Sequence, residues 1–392
     1  MSSHNENFEA FLHIVHISDI HCRDGGSVAD IKSERFIQRL IALLRYTGQI
    51  ERANSIEELW EEGFAGHDPS AHEKVCEFLD KFAKNPVFGN IETWLLDTGD
   101  ISSMGDISSL DTAIGWLKEY RDILKAKHLF HLYGNHDAWP GVFPLASTKE
   151  DLDSHRKKLR SGIFPRYWPQ GPLSIKIPHA QSELLLYGIN SVIDDRLKNT
   201  FALGEVDIDP NWVRKGRGTD QLEQLAFNAM QNFKPNGKIR DFRIIAVHHP
   251  VHYPPPRPAN NMILKNDTAV ADALINFDQK GRGKLAHLVL SGHTHQTYPP
   301  LGKLPPNTAT NFYQPLTRGQ LQLITGSLSQ MPRYTDHAEF PSVPHQFQIL
   351  TFFAAPRSAN RVLLIERRIV GRPGGTGSYK FIPPVESVMI DY

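Results

Sequence analysis

The sequence predicts an α/β layered protein, and three observations carry that prediction. Short apolar runs rich in branched residues recur along the 392 residues, most of them near-continuous, as strands covered on both faces must be. Segments with apolar residues at helical spacing alternate with these runs in the first half. The second half is richer in strands, which points to a mixed sheet or two stacked sheets.

Taken in order, FLHIVHI (11–17) reads as the first strand and Ile31 to Leu44 as a helix. ETWLLDT (92–98) is the next strand, followed by a helix from Ala113 to Leu124 and a strand at HLFHLY (128–133). ELLLYGI (183–189), FRIIAV (242–247) and HLVLSG (287–292) read as strands, with helices over Thr219 to Phe233 and Thr268 to Phe277. LQLITG (321–326), FQILTFF (347–353) and RVLLIERRIV (361–370) close the series, with Arg367 and Arg368 expected to face solvent.

No repeat or long low-complexity linker divides the chain, so a single domain with a core over about 11–370 is expected. Residues 23–90 read as a helical insertion in which Trp60 and Phe64 are packing anchors. VHYPPPRPANN (251–261) and YPPLGKLPPN (298–307) are Pro-rich loops, and 371–392 reads as a loop-rich tail.

The 43 Lys and Arg balance 43 Asp and Glu, which argues against a protein that holds nucleic acid or anionic lipid by charge. Two cysteines, Cys22 and Cys76, make no disulfide framework and read as reduced thiols. MSSHNENFEA lacks the features of a signal peptide, and no apolar run is long enough for a membrane span. A cytoplasmic chain is the expectation; the oligomeric state is not legible.

The polar residues at the strand ends carry the chemistry. Asp19 and His21 come after the first strand, Asp100 after ETWLLDT and Gly99, and Asn135, His136 and Asp137 after HLFHLY and Gly134. His248 and His249 end FRIIAV, and His293 and His295 come after Gly292. Ligands bind at the carboxyl ends of strands in α/β sheets. If these ends converge, carboxylates, an amide oxygen and imidazoles meet with no thiolate, a set that suits Zn, Mn, Fe or Co. Such a set has too many donors for one tetrahedral ion and suits two ions sharing a carboxylate.

These blocks, Asp19-Ile20-His21, Gly99-Asp100, Gly134-Asn135-His136-Asp137, His248 and Gly292-His293-Thr294-His295, resemble in order the pattern of the calcineurin-like metallophosphoesterases. They span about 14–295, and GSLSQ (326–330) is similar to the family's closing region. The resemblance implies a four-layer sandwich of two mixed β-sheets flanked by helices, with two divalent ions at one edge. One ion would take Asp19, His21, Asp100 and His295; the other would take Asp100, Asn135, His248 and His293, with Asp100 bridging. His136 would face substrate as a catalytic residue, Asp137 would orient His136, and His249 would sit just outside the ligands or toward substrate. Arg257, in the loop beyond, would rim the site. The implied reaction is hydrolysis of a phosphoester by water activated between the ions, with a small diester as the favoured substrate. A phosphomonoesterase or nucleotide pyrophosphatase is the alternative among enzymes, and a metal-binding scaffold the alternative outside them.

Overall fold

Strand β1 (Glu9–Ile17) shows why the interior is layered. Leu12 and Ile14 face one side of the strand, Val15 and Ile17 the other, and all four are buried. The computed structural model describes residues 8–23, 28–51, 53–54, 57, 68, 70–142, 147–159, 170–192, 203–208, 221–231, 241–253, 263–276, 284–295, 297–299, 321–329, 345–355, 362–373 and 377–392. Trp60, Phe64 and Arg257 lie outside them.

On one side β1 pairs in parallel with β2 (Glu92–Asp97), which pairs in parallel with β3 (His128–His131). On the other side β9 (Gln346–Ala354), β10 (Val362–Gly371) and β11 (Lys380–Asp391) are antiparallel, giving the order β11-β10-β9-β1-β2-β3. The second sheet runs β4-β5-β6-β7-β8. Its strands β5 (Glu183–Gly188), β6 (Phe242–Ala246), β7 (Leu288–Ser291) and β8 (Leu321–Ile324) are parallel, and β4 (Gln170–Lys176) is antiparallel at the edge.

Leu12, Trp94 and Leu350 of the first sheet share a core with Leu186, Ile244 and Leu290 of the second. Each fully buried aliphatic side chain there contributes roughly 1.5–3 kcal/mol. Helices α2 (Ala71–Lys84) and α3 (Ile107–Leu124) cover the outer face of the first sheet, through Val75, Phe78 and Phe82 and through Leu110, Leu117 and Tyr120. Helices α5 (Gln221–Gln231) and α6 (Asp267–Asn276) cover the second, through Leu222, Leu225, Val270 and Leu274. The two mixed sheets and their helical layers match the expected sandwich. Helix α1 (Val28–Tyr46) sets Ile37 and Ile41 against Met104 and Trp139, and α4 is Lys149–Lys158. Among the described residues no helix is long and apolar enough to cross a membrane.

Three details differ from the sequence-based expectation. Helix α3 starts six residues before Ala113, because the Asp106 carboxylate accepts a hydrogen bond from Ser109 N at 2.9 Å and caps a stretch that looks like a polar turn. The tail is not loop-rich: β11 occupies most of it, and its Pro383-Pro384 pair is tolerated because the strand is at an edge. Arg367 does not face solvent. It is fully buried, its Nε donates to Glu386 Oε2 at 2.9 Å, and its Nη2 donates to the Pro299 carbonyl at 2.8 Å; Arg368 is half-buried.

Candidate metal centre

Parallel pairing makes β1, β2 and β3 end at one edge of the first sheet, and β6 and β7 run parallel in the second. The ladder continues past the strands: Asp19 N donates to the Gly99 carbonyl at 2.8 Å and His21 N to the Asp100 carbonyl at 3.0 Å. The two sheets also meet here, since His293 N donates to Asp19 Oδ2 at 2.9 Å. Close approach explains two glycines. A Cβ on Gly134 would lie 2.1 Å from Asp100 Oδ1, and one on Gly292 would lie 1.9 Å from Ser18 Oγ.

Five of the expected ligands hold a left-handed backbone: Asp19 at φ 53°, His21 at 49°, Asp100 at 54°, His293 at 70° and His295 at 56°. Such conformations are rare outside glycine and cost about 1–3 kcal/mol each, and they cluster where function aims a side chain. All five side chains are buried.

Asp19 Oδ1 lies 3.4 Å from His295 Nε2 and 3.8 Å from His21 Nε2, and the two imidazole nitrogens face each other at 2.9 Å. That oxygen accepts no hydrogen bond among the described residues. On the neighbouring side His248 Nδ1–H donates to the Thr98 carbonyl at 2.8 Å, which leaves Nε2 facing the site. That nitrogen points at Asn135 Oδ1 (3.1 Å) and Asp100 Oδ2 (3.3 Å). Buried carboxylates, an amide oxygen and imidazole nitrogens at this spacing need protons or a cation between them. Donor atoms sharing one ion at 2.0–2.2 Å are about 3.0–3.6 Å apart, so the observed spacings fit a divalent metal.

The electrostatics agree. Burial alone would raise the Asp100 carboxyl, but the charges of His248 and His136 hold it below its usual range. Burial opposes charge on His248, yet the Asp100 carboxylate pushes its pKa up to about 9. A cation therefore has an anion waiting for it.

The structure brings Asp19, His21 and His295 together, Asp19, Asp100 and His248 together, and His248, His249 and His293 together, with the ligand atoms of each group within 4.8 Å of one another. Asn135 joins through His248. Asp19 thus belongs to two of these groups, beside the Asp100 expected to bridge. His249 reaches the same space with one ring nitrogen while its Nδ1 lies 2.8 Å from Ser191 Oγ.

His136 packs its ring on His21 at 4.9 Å and on Trp139 at 4.2 Å between centroids. Its orientation comes from the Ser103 carbonyl, 2.8 Å from Nδ1. Asp137 does not supply it. Its Oδ2 accepts from Asp100 N and Gly134 N, both at 2.8 Å, and its Oδ1 accepts from Ser102 N at 2.9 Å, so it ties the two ligand loops together through their backbones. Those partners are main-chain atoms, which residue types do not announce. Ser103 escapes a sequence-based search for the same reason; Ser191, acting through its hydroxyl just after ELLLYGI, and Trp139, an aromatic three residues after His136, had signals.

The sequence profile of the calcineurin-like phosphoesterases matches residues 12–297. No curated protein matches the chain. Among solved structures, the sulfate thiohydrolase SoxB of Thermus thermophilus, in complex with glycerol, is similar at 13% identity and a TM-score of 0.33. The likeness covers 97% of this chain and 57% of that one, so this chain spans little more than half of that protein.

Proposed function

The chain belongs to the calcineurin-like phosphoesterases, and on that premise we propose that it is a phosphodiesterase acting on a small diester with two divalent ions. One ion would be held by Asp19, His21, Asp100 and His295, the other by Asp100, Asn135, His248 and His293. The observation that carries this reading is the convergence of buried carboxylate, amide and imidazole groups on one another at 2.9–3.8 Å. Ions in that place supply Lewis acidity toward phosphoryl oxygens and lower the pKa of a water toward neutrality.

The remaining chemistry belongs to the chain. Asp137 keeps the loops bearing Asp100 and Asn135 in register through three backbone hydrogen bonds. The Ser103 carbonyl keeps the His136 proton on Nδ1, so Nε2 is the atom that exchanges protons with substrate. The attacking water gives one proton to solvent, and as its oxygen bonds to phosphorus and the ester oxygen departs, protonated His136 donates its Nε2 proton to that leaving oxygen. Preference for a diester is supported by the sequence blocks around Asp19, His248 and GSLSQ. The balanced charge supports a small substrate over a nucleic acid.

The test is hydrolysis of bis(p-nitrophenyl) phosphate beside p-nitrophenyl phosphate by apo protein reconstituted with Mn. Faster diester cleavage that disappears in Asp100→Ala is the expected result. Faster monoester cleavage moves the assignment to a phosphomonoesterase, and bound metal with neither activity contradicts the diesterase reading for these esters.

A further inference from the structure

Helices α2 and α3 carry a second group of metal-binding side chains, unrelated in composition to the first. His72 and Cys76 stand one turn apart on α2, and Glu119 stands opposite on α3. One ligand atom from each lies within 4.8 Å of the other two. His72 Nε2 is 3.2 Å from Glu119 Oε2, and Cys76 Sγ is 4.0 Å from His72 Nδ1.

Neighbouring side chains hold the histidine ring in place. Its Nδ1 lies 3.0 Å from the Tyr120 hydroxyl, on the side where the thiol also sits, its Nε2 faces the carboxylate, and its ring stacks on Trp116 at 4.6 Å and 12°. Glu119 is 53% exposed and His72 21%, so an ion has a path from solvent. Glu119 lies 13 residues beyond the Asp106 cap of α3, roughly 20 Å of helix from the loop of Asp100.

We propose that His72, Cys76 and Glu119 form a separate site for a borderline-soft divalent ion of the zinc class, pinning α2 to α3. One nitrogen, one thiolate and one carboxylate make three protein ligands, and water fills the fourth tetrahedral position. The thiol gives up its proton to solvent when the ion binds; no redox step is involved.

The chemistry of the two sites makes them separable. The strand-edge ligands are all nitrogen and oxygen, so only the helical site gives a sulfur-to-metal charge-transfer band with Co(II). Titration of the full chain with Co(II) is expected to produce that band, and Zn(II) to erase it. The band should persist in Asp100→Ala and Cys22→Ser and vanish in Cys76→Ser. Glu119→Gln, a change on an exposed helix face, should keep the band's character but raise the Co(II) concentration needed by about tenfold or more. Absence of a sulfur band in the folded wild-type chain overturns the proposal. So does a band that survives Cys76→Ser, or a Co(II) affinity unchanged by Glu119→Gln.

Discussion

Strand β1 carries buried histidines in its body and another just past its end, and the two kinds behave oppositely. His13 and His16 lie within the strand. His13 Nδ1 is 2.9 Å from Thr351 Oγ1, while Gln348 Nε2 donates to His16 Nδ1 at 2.9 Å and His16 Nε2 donates to Thr98 Oγ1 at 3.0 Å. Burial pushes their pKa values down, to about 4 and about 3, so both are neutral packing residues. His21, past the end, sits on left-handed backbone and faces Asp19 and His295 instead. The same contrast recurs at β7. His287, before the strand, accepts a hydrogen bond from Arg243 N, whereas His293 and His295, after it, converge with carboxylates and other imidazoles. Burial alone does not mark a functional histidine; the partner does. A neutral donor or acceptor marks a packing residue, and convergence with carboxylates and other imidazoles marks a candidate ligand.

Substitutions at the two kinds of position should break along this line. The largest effect is expected from Asp100→Ala, which removes a carboxylate shared by both proposed ions. Diester hydrolysis should fall by more than the roughly 10–100-fold that losing an outer partner of a metal ligand costs. Next is His136→Ala, expected to slow turnover about 10²–10⁴-fold, the usual contribution of a general acid, while metal content stays that of the wild type. Lost metal in that variant would make His136 a ligand.

Asp137→Asn tests the backbone tie. An amide cannot accept all three bonds as a carboxylate does, so metal affinity should weaken about 10–100-fold with the same ligands present, read by titration against a chelator.

The smallest effect on activity, near none, is expected from His16→Gln, and there stability is the readout. The folded-state pKa lies below the unfolded value of about 6.5, so the neutral ring's contribution is complete above that pH. It is lost as pH falls toward about 3, because the unfolded chain takes up a proton that the folded one refuses. Urea unfolding between pH 7 and 4 should therefore have a shallower pH slope in His16→Gln, by up to about 1.4 kcal/mol per unit. An unchanged slope would mean that His16 is protonated in place.

The convergence of the strand-end residues was legible because each comes directly after an apolar strand, and parallel strands deliver their trailing residues to one edge. Asp19, Asp100, Asn135, His248, His293 and His295 need only that topology to meet. Their surroundings were not legible. Asp137 acts on main-chain amides, His136 leans on a carbonyl, and neither partner leaves a mark in the sequence. Arg367 looked solvent-facing because its partner Glu386 lies beyond a Gly- and Pro-rich stretch that hides β11. Strand β4 escaped for a similar reason, since QGPLSIK places Gly and Pro where a strand pattern would be sought.

The most direct measurement is the Mn content of wild-type and Asp100→Ala protein after reconstitution and desalting, by inductively coupled plasma mass spectrometry. Mn favours nitrogen and oxygen ligands and so counts the strand-edge site rather than a thiolate site. About two Mn per wild-type chain, with clear loss in Asp100→Ala and circular dichroism unchanged, is the predicted result. Equal Mn in the two proteins, or none in a folded wild-type chain, would contradict the assignment of these strand ends to metal.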